Sequence, residues 1–456
     1  MKTKKLLFLS ALCLFMSASF IACSDDDDDD KNDGTPTEVV SAITFGDTNP
    51  AASKISGTVN WVAPSSVSDI TKYVIYLSSD GKGKDEKLGE VSVENNKFVI
   101  PEGTTYHPYI LVIAANSKGE SNKIASLKIG DFIATPGLYF LNSGKMDSNN
   151  ASLYFYNLSE SKMYDELFLS KNGRGLGDTG NDMVIYGNKM YIAVYNSNTI
   201  EVTDLSGNSI KQIKPTGQPR FLTFYEGKVY ATLYNGYVAR LDTASLEIDA
   251  TAKVGRNPEQ IVVANEKLYV ANSGGLDYNT EVGYDKTVSI VDIASFSETQ
   301  KLEVVINPCN MVTDNQGDVY VVSMGNYTDI PNTLQRIDTQ KDEVTTIEVA
   351  NATEMASVGD KIYMIYSQYD ANWNQVISFI SYDAINERVI SENFLEDPSI
   401  VAKPYKICAD KTTGTIYISS SDYKTNGDFY AFDANGKYLN KWGAGLNPVK
   451  VIAVNP

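Results

Sequence analysis

The chain has 456 residues, 43% of them apolar and 21% charged, with a formal net charge of −18; the apolar share is ample for packed cores and excludes wholesale disorder. The acidic balance opposes nucleic-acid binding, whose affinity rests on neutralising phosphates. Four cysteines exclude a disulfide scaffold, and a single histidine, His107, excludes chemistry that needs paired imidazoles in one chain.

Lys2, Lys4 and Lys5 form a basic start, and Leu6 to Ile21 an apolar run too short for a membrane span. The run ends in Phe20-Ile21-Ala22-Cys23, which resembles a bacterial lipobox, so residues 1–22 are expected to be cleaved and Cys23 lipidated. Ser24 and the aspartates from Asp25 to Asp30 follow, within an acidic tether over 23–38 that self-repels and extends. Cys-Ser-Asp-Asp also resembles the surface-export signal of Bacteroides-type lipoproteins. The resemblance implies an outer-membrane, lipid-anchored and surface-exposed protein. Its acidity repels anionic lipid surfaces, leaving the lipid as the only membrane contact.

Residues 39–130 carry short alternating runs broken by turns, among them Lys54 to Trp61, Tyr73 to Leu77, Lys97 to Ile100 and Tyr109 to Asn116. Such spacing predicts a β-sandwich. The Trp61 strand and the Ala114-x-Asn116-x-x-Gly119-x-Ser121 ending resemble a fibronectin type III domain, which implies a spacer.

Residues 135–456 repeat. Each unit opens near a proline with a short apolar strand, turns, and continues into a strand centred on tyrosine: Tyr191, Tyr230, Tyr269, Tyr320, Tyr363 and Tyr417. A third strand closes on Asp204, Asp242, Asp292, Asp338, Asp383 or Asp433. Pro448 to Val454 is a first strand with nothing after it, and Gly137 to Leu141 a second strand with nothing before it. Joined, they complete a seventh unit with strands over Ala151–Tyr156 and Met163–Phe168. The predicted fold is all-β: a sandwich followed by a seven-bladed β-propeller closed by both ends of its segment.

In a propeller the loops between strands two and three share a face with those between blades, and here these are the long ones. Converging there are Asn142, Asn149, Asn150, Arg174, Asp178 and Asp182, then Tyr195, Asn196, Arg220, Tyr234, Asn235 and Gln260. The other side of the ring brings Asn272, Asn326, Tyr327, Tyr366, Tyr369, Trp373, Tyr405 and Tyr423, with Glu259, Asn310 and Glu354 beside them. This is a Tyr/Asn-rich rim with few charges, suited to a bulky, largely uncharged ligand rich in amides or hydroxyls. Asn-rich loops are equally ordinary turn chemistry.

No catalytic constellation emerges, and the chain reads as a binding protein rather than an enzyme. The propeller segment contains no histidine, Cys309 and Cys408 read as small buried hydrophobes, and Gly173 to Asp178 lacks the Lys-Ser/Thr of a phosphate loop. No cofactor or metal motif is present. A carboxylate pair drawn from Asp178, Asp182, Glu259 and Glu354 leaves a carbohydrate-active enzyme as a lesser alternative.

Leu141-Asn142-Ser143-Gly144, Ser148 to Leu153 and Asn172 to Thr179 before Asn181-Asp182-Met183 are similar to Bacteroides surface lipoproteins with YVTN-type seven-bladed propellers. The best understood members of that family capture cobalamin and pass it to a TonB-dependent outer-membrane transporter. The resemblance implies capture of a nutrient, a corrinoid such as cobalamin, with such a transporter as partner. The alternative is an adhesin or a glycan- or protein-binding scaffold using the same face.

Overall fold

The computed structural model describes residues 34–45, 47, 49, 53–129, 135–369 and 375–454. The leader, Cys23 and Trp373 lie outside them. The chain divides into two compact units, Met1–Phe132 and Ile133–Pro456. Among the described residues no helix is long and apolar enough to cross a membrane.

The first unit holds two antiparallel sheets. One orders Ser41–Thr44, Lys54–Val62 and Lys97–Thr105; the other runs from Glu86–Ser92 through Lys72–Ser78 and Tyr109–Asn116 to Gly119–Glu120, with Ala125–Lys128 also on Tyr109–Asn116. Alternation drives Ile55, Val59 and Trp61 of one sheet against Tyr73, Ile75 and Val112 of the other. Trp61 meets Tyr73 edge-on at 5.4 Å. His107 sits half-buried near its loop, with Nδ1 3.3 Å from the Thr105 carbonyl.

The second unit is built of seven four-stranded antiparallel sheets in the described residues, six of them simple meanders and the seventh joined from both ends of the unit. The first runs Gly180–Tyr186, Lys189–Val194, Thr199–Asp204 and Ser209–Ile213. The first strands of the next five are Pro219–Tyr225, Pro258–Ala264, Pro308–Thr313, Glu354–Val358 and Pro404–Ala409. Pro448–Val454 is the first strand of the last sheet, whose other strands are Gly137–Asn142, Ser152–Asn157 and Lys162–Tyr164. First strands touch their neighbours in succession, and the last touches the one beginning at Gly180. The result is a closed, propeller-like ring.

Sequence pattern follows position in the sheet. A second strand has strands on both sides and sheets packed on both faces, so it reads as an unbroken apolar run; Met190 to Val194 are fully buried. Fourth strands lie at the outer edge and alternate, as in Glu247–Lys253. The repeated tyrosine is buried in this packing. Where its hydroxyl finds an acceptor, it joins two sheets: Tyr363 donates to the Ala434 carbonyl at 2.9 Å, and Tyr139 to that of Leu205. The repeated aspartate folds the turn that follows it; Asp242 accepts from the Ala244 and Ser245 amides, and Asp433 from those of Asn435 and Lys437.

The expected strand over Met163–Phe168 needs correction. Pairing stops at Tyr164; Glu166 takes a left-handed conformation and Leu167–Asn172 forms a short α-helix, with Leu167 and Phe168 buried. Gly173, at φ 65°, ends it by donating to the Leu169 carbonyl.

Candidate functional site

All seven first strands line one central cavity of about 580 Å³. Five of them begin at a proline, the exceptions starting at Gly180 and Glu354, and the side chains just inside the opening are mostly polar. Asp182, Gln260, Asn310, Glu354, Lys406 and Lys450 all face this space. Three ion pairs result. Arg220 donates from Nε and Nη2 to one Glu259 oxygen at 2.9 and 2.6 Å, and from Nη1 to Asn181 at 2.7 Å. Lys406 pairs with Glu354, and Lys450 lies 3.0 Å from Asp182. Asp182 also accepts the Leu222 amide at 3.0 Å, and Glu354 the Asn310 amide at 3.3 Å.

These contacts keep the cations charged. Burial opposes a guanidinium in the channel, but Glu259 outweighs it and raises the Arg220 pKa. Burial likewise opposes the Lys406 and Lys450 ammoniums, and Glu354 and Asp182 more than offset it.

Arg220 lies between two rings, 4.9 Å from the centre of Tyr195 and 5.1 Å from that of Tyr234, which meet edge-on at 5.6 Å. Across the ring Tyr405 lines the cavity and meets Tyr423 at 5.4 Å, with Lys406 over the Tyr405 face. Asp178, Asn149 and Asn196 form a knot that pins two loops. The Asn149 amide and the Thr179 hydroxyl donate to Asp178, and Asn196 donates to Asp147. Burial works against the Asp178 charge, yet these donors hold its carboxyl below the usual range. Asn150 accepts the Lys145 amide at 2.8 Å.

Several expected ligand contacts are structural instead. Asn142 and Asn272 are fully buried. Each accepts the amide of a glycine arriving from the preceding sheet, Gly445 at 2.9 Å and Gly255 at 3.0 Å, and donates to hydroxyls of its own sheet. A Cβ on Gly255 would stand 2.3 Å from the Asn272 side chain. Asn235 holds the matching place against Gly217 and donates to the Thr216 carbonyl. Asn326 folds its own loop, accepting the Thr328 and Ile330 amides and leaving Tyr327 exposed at φ 60°.

Arg174 points elsewhere: it pairs with buried Glu201 at 2.8 Å and covers Phe168, on third- and fourth-strand ground away from the cavity. Tyr366 lines a separate groove of about 580 Å³ with Leu334 and Ile380 of neighbouring strands and Ile347 just past a third. Tyr369 ends the strand Lys361–Tyr369. Cys309 donates to the Asn307 carbonyl and Cys408 is buried; burial pushes both thiols up, away from reactivity.

The expectation of few charges is therefore corrected. The rim is aromatic and amidic, but the layer beneath is ionic, and Lys406 and Lys450 were missed. A signal for them exists. Two places after the repeat opening the chain reads Asp182, Phe221, Gln260, Asn310, Glu354, Lys406 and Lys450, polar everywhere except Phe221.

A domain of unknown function, DUF5074, matches residues 136–401. The chain belongs to the DUF5074 family. No curated protein matches this sequence. Among solved structures, this DUF5074 protein resembles a quinoprotein alcohol dehydrogenase-like protein of Bacteroides thetaiotaomicron, 14% identical at a TM-score of 0.50 over 89% of this chain and 95% of that one. A hydrazine synthase of Kuenenia stuttgartiensis is 12% identical at a TM-score of 0.44, over 68% of this chain and 89% of that one. A Lactobacillus plantarum protein is 14% identical at a TM-score of 0.47, over 70% of this chain and 99% of that one. At such identity the first likeness bears on the fold alone: DUF5074 here is all-β and propeller-like.

Proposed function

We propose that the DUF5074 unit is a seven-bladed β-propeller behind a fibronectin type III-like spacer, and that it captures a nutrient ligand at the mouth of its channel. Held to the outer membrane by a lipid on Cys23 and exposed at the surface, it presents that ligand to a TonB-dependent transporter. A corrinoid such as cobalamin is the leading ligand. The reading is carried by one observation: seven strands open onto a single cavity beneath a rim of Tyr195, Tyr234, Tyr405 and Tyr423. Aromatic faces and amides there suit a bulky ligand with apolar faces and many polar edges. The protein is read as a binder rather than an enzyme, because each carboxylate of Glu259, Glu354 and Asp182 is tied to a cation and suits positioning more than proton transfer.

A glycan- or protein-binding scaffold is the second reading, favoured by exposed Tyr278, Tyr327 and Tyr423 on three loops between second and third strands. The test is calorimetric titration of lipid-free protein (residues 36–456) with cyanocobalamin. Saturation near one ligand per chain, weakened about tenfold or more by Tyr195→Ala or Tyr234→Ala, is expected. Absence of heat at high micromolar ligand rejects corrinoid capture, and a glycan panel then decides the second reading.

A further inference from the structure

The three ion pairs of the cavity share an asymmetry. In each, the cation is the more exposed member: Arg220 21% against 9% for Glu259, Lys406 29% against 19% for Glu354, and Lys450 31% against 2% for Asp182. The carboxylates stand behind and are engaged from several sides. The cations stand in front with donors left over. An ammonium offers three N–H groups and a guanidinium five. Among the described residues Lys406 and Lys450 each meet one carboxylate partner, and Arg220 uses three of its five donors on Glu259 and Asn181.

These cations also converge. Arg220, Lys406 and Lys450 enter one cavity from three of its first strands, and like charge couples Arg220 to Lys406 and Lys406 to Lys450. Such a cluster runs against the composition of a chain with net charge −18. An apolar group entering the cavity would displace water and leave these donors unmet, which costs free energy for each one. A hydroxyl accepts such bonds weakly. A carboxylate or phosphate meets several at once through charge-assisted bonds.

We infer that the cavity seats an anionic group of the ligand, a carboxylate or phosphate, between Arg220, Lys406 and Lys450, with Glu259, Glu354 and Asp182 as positioning residues. This rests on the reading of the channel as a ligand site and names the chemistry that enters it first. A ligand that is neutral over most of its surface and bears one anionic arm fits both layers: the arm descends to the cations and the body spreads over the tyrosines.

The test titrates the full chain with inorganic phosphate and, separately, with succinate, by calorimetry at constant ionic strength. Saturable binding of either near one per chain is expected, and which one binds identifies the anion. Two double variants remove charge without stranding a partner: Lys406→Gln with Glu354→Gln, and Lys450→Gln with Asp182→Asn. Each is expected to weaken binding at least about tenfold while thermal unfolding stays cooperative; if one fails to fold, the other carries the test. Binding of neither anion, or unchanged binding in a folded double variant, overturns the inference. No corrinoid takes part in these titrations. Anion binding beside a failed cyanocobalamin titration therefore sinks corrinoid capture alone, and the reverse result sinks the anion seat alone.

Discussion

Single side chains hold the site in shape, and the most connected is Arg220. It joins three sheets, through the Asn181 amide, its own strand and Glu259, while Tyr195 and Tyr234 fix its plane. Nothing in a lone arginine after a proline announces this, because a partner from another repeat is invisible to local pattern. The polar position inside the first strands recurs in every repeat but the one with Phe221, yet it was not read as a column, and Lys406 and Lys450 were missed with it. Outside the channel, Lys228 bridges Asp242 and Asp249 at 2.8 and 2.6 Å, with Arg240 on Asp249. Burial would raise the Asp242 carboxyl, but Lys228 and Ser245 outweigh it and hold it at about 2. Its unfolded value is near ~3.9, so its stabilising contribution is complete above that pH and is lost as pH falls towards 2. Because the group is part-exposed, the contribution is roughly 1–2 kcal/mol at neutral pH. Asp242→Asn is expected to lower stability at pH 7 by that amount and to flatten the decline between pH 4 and 2, as read by urea unfolding across pH.

At the scale of elements, the second strands were the most legible part of the chain. Their tyrosine and apolar run recur because each lies at the centre of a sandwiched sheet. The helix Leu167–Asn172 was not legible: six residues carry too little periodicity, and only Asn172-Gly173 hints at its end. Nor did the sequence separate Asn272, sealed against Gly255, from asparagines that reach the rim. The tyrosines are chemically alike but not energetically equal. Tyr363 donates to Ala434, whereas the Tyr320 hydroxyl is buried with no partner among the described residues. Tyr363→Phe is expected to cost about 1 kcal/mol, while Tyr320→Phe is expected to be neutral or stabilising. Equilibrium denaturation of the two variants, with equal m-values, checks the contrast; equal losses in both would refute it.

At the scale of the molecule, closure is the feature on which the rest depends. Pro448–Val454 pairs with Gly137–Asn142, and the seam is sealed by Asn142 to Gly445 and Asn447 to Gly144. Two half-units at the ends of a repeat array made this joint legible in the sequence. Deleting residues 448–456 bares one edge of Gly137–Asn142 and uncovers Phe140 and Leu138, which pack with Val451. Loss of cooperative unfolding and association on size-exclusion chromatography are the expected result; a monomeric, cooperative truncation would show that the ring tolerates an open joint. The same joint has a mechanical meaning. Tension reaching Gly137 through the preceding chain is taken up along a strand laced on both flanks, to Val454 on one side and Asn157 on the other. Pulled along its axis, that strand must shear two ladders at once rather than unzip one, so the ring is clasped at the point where the chain enters it.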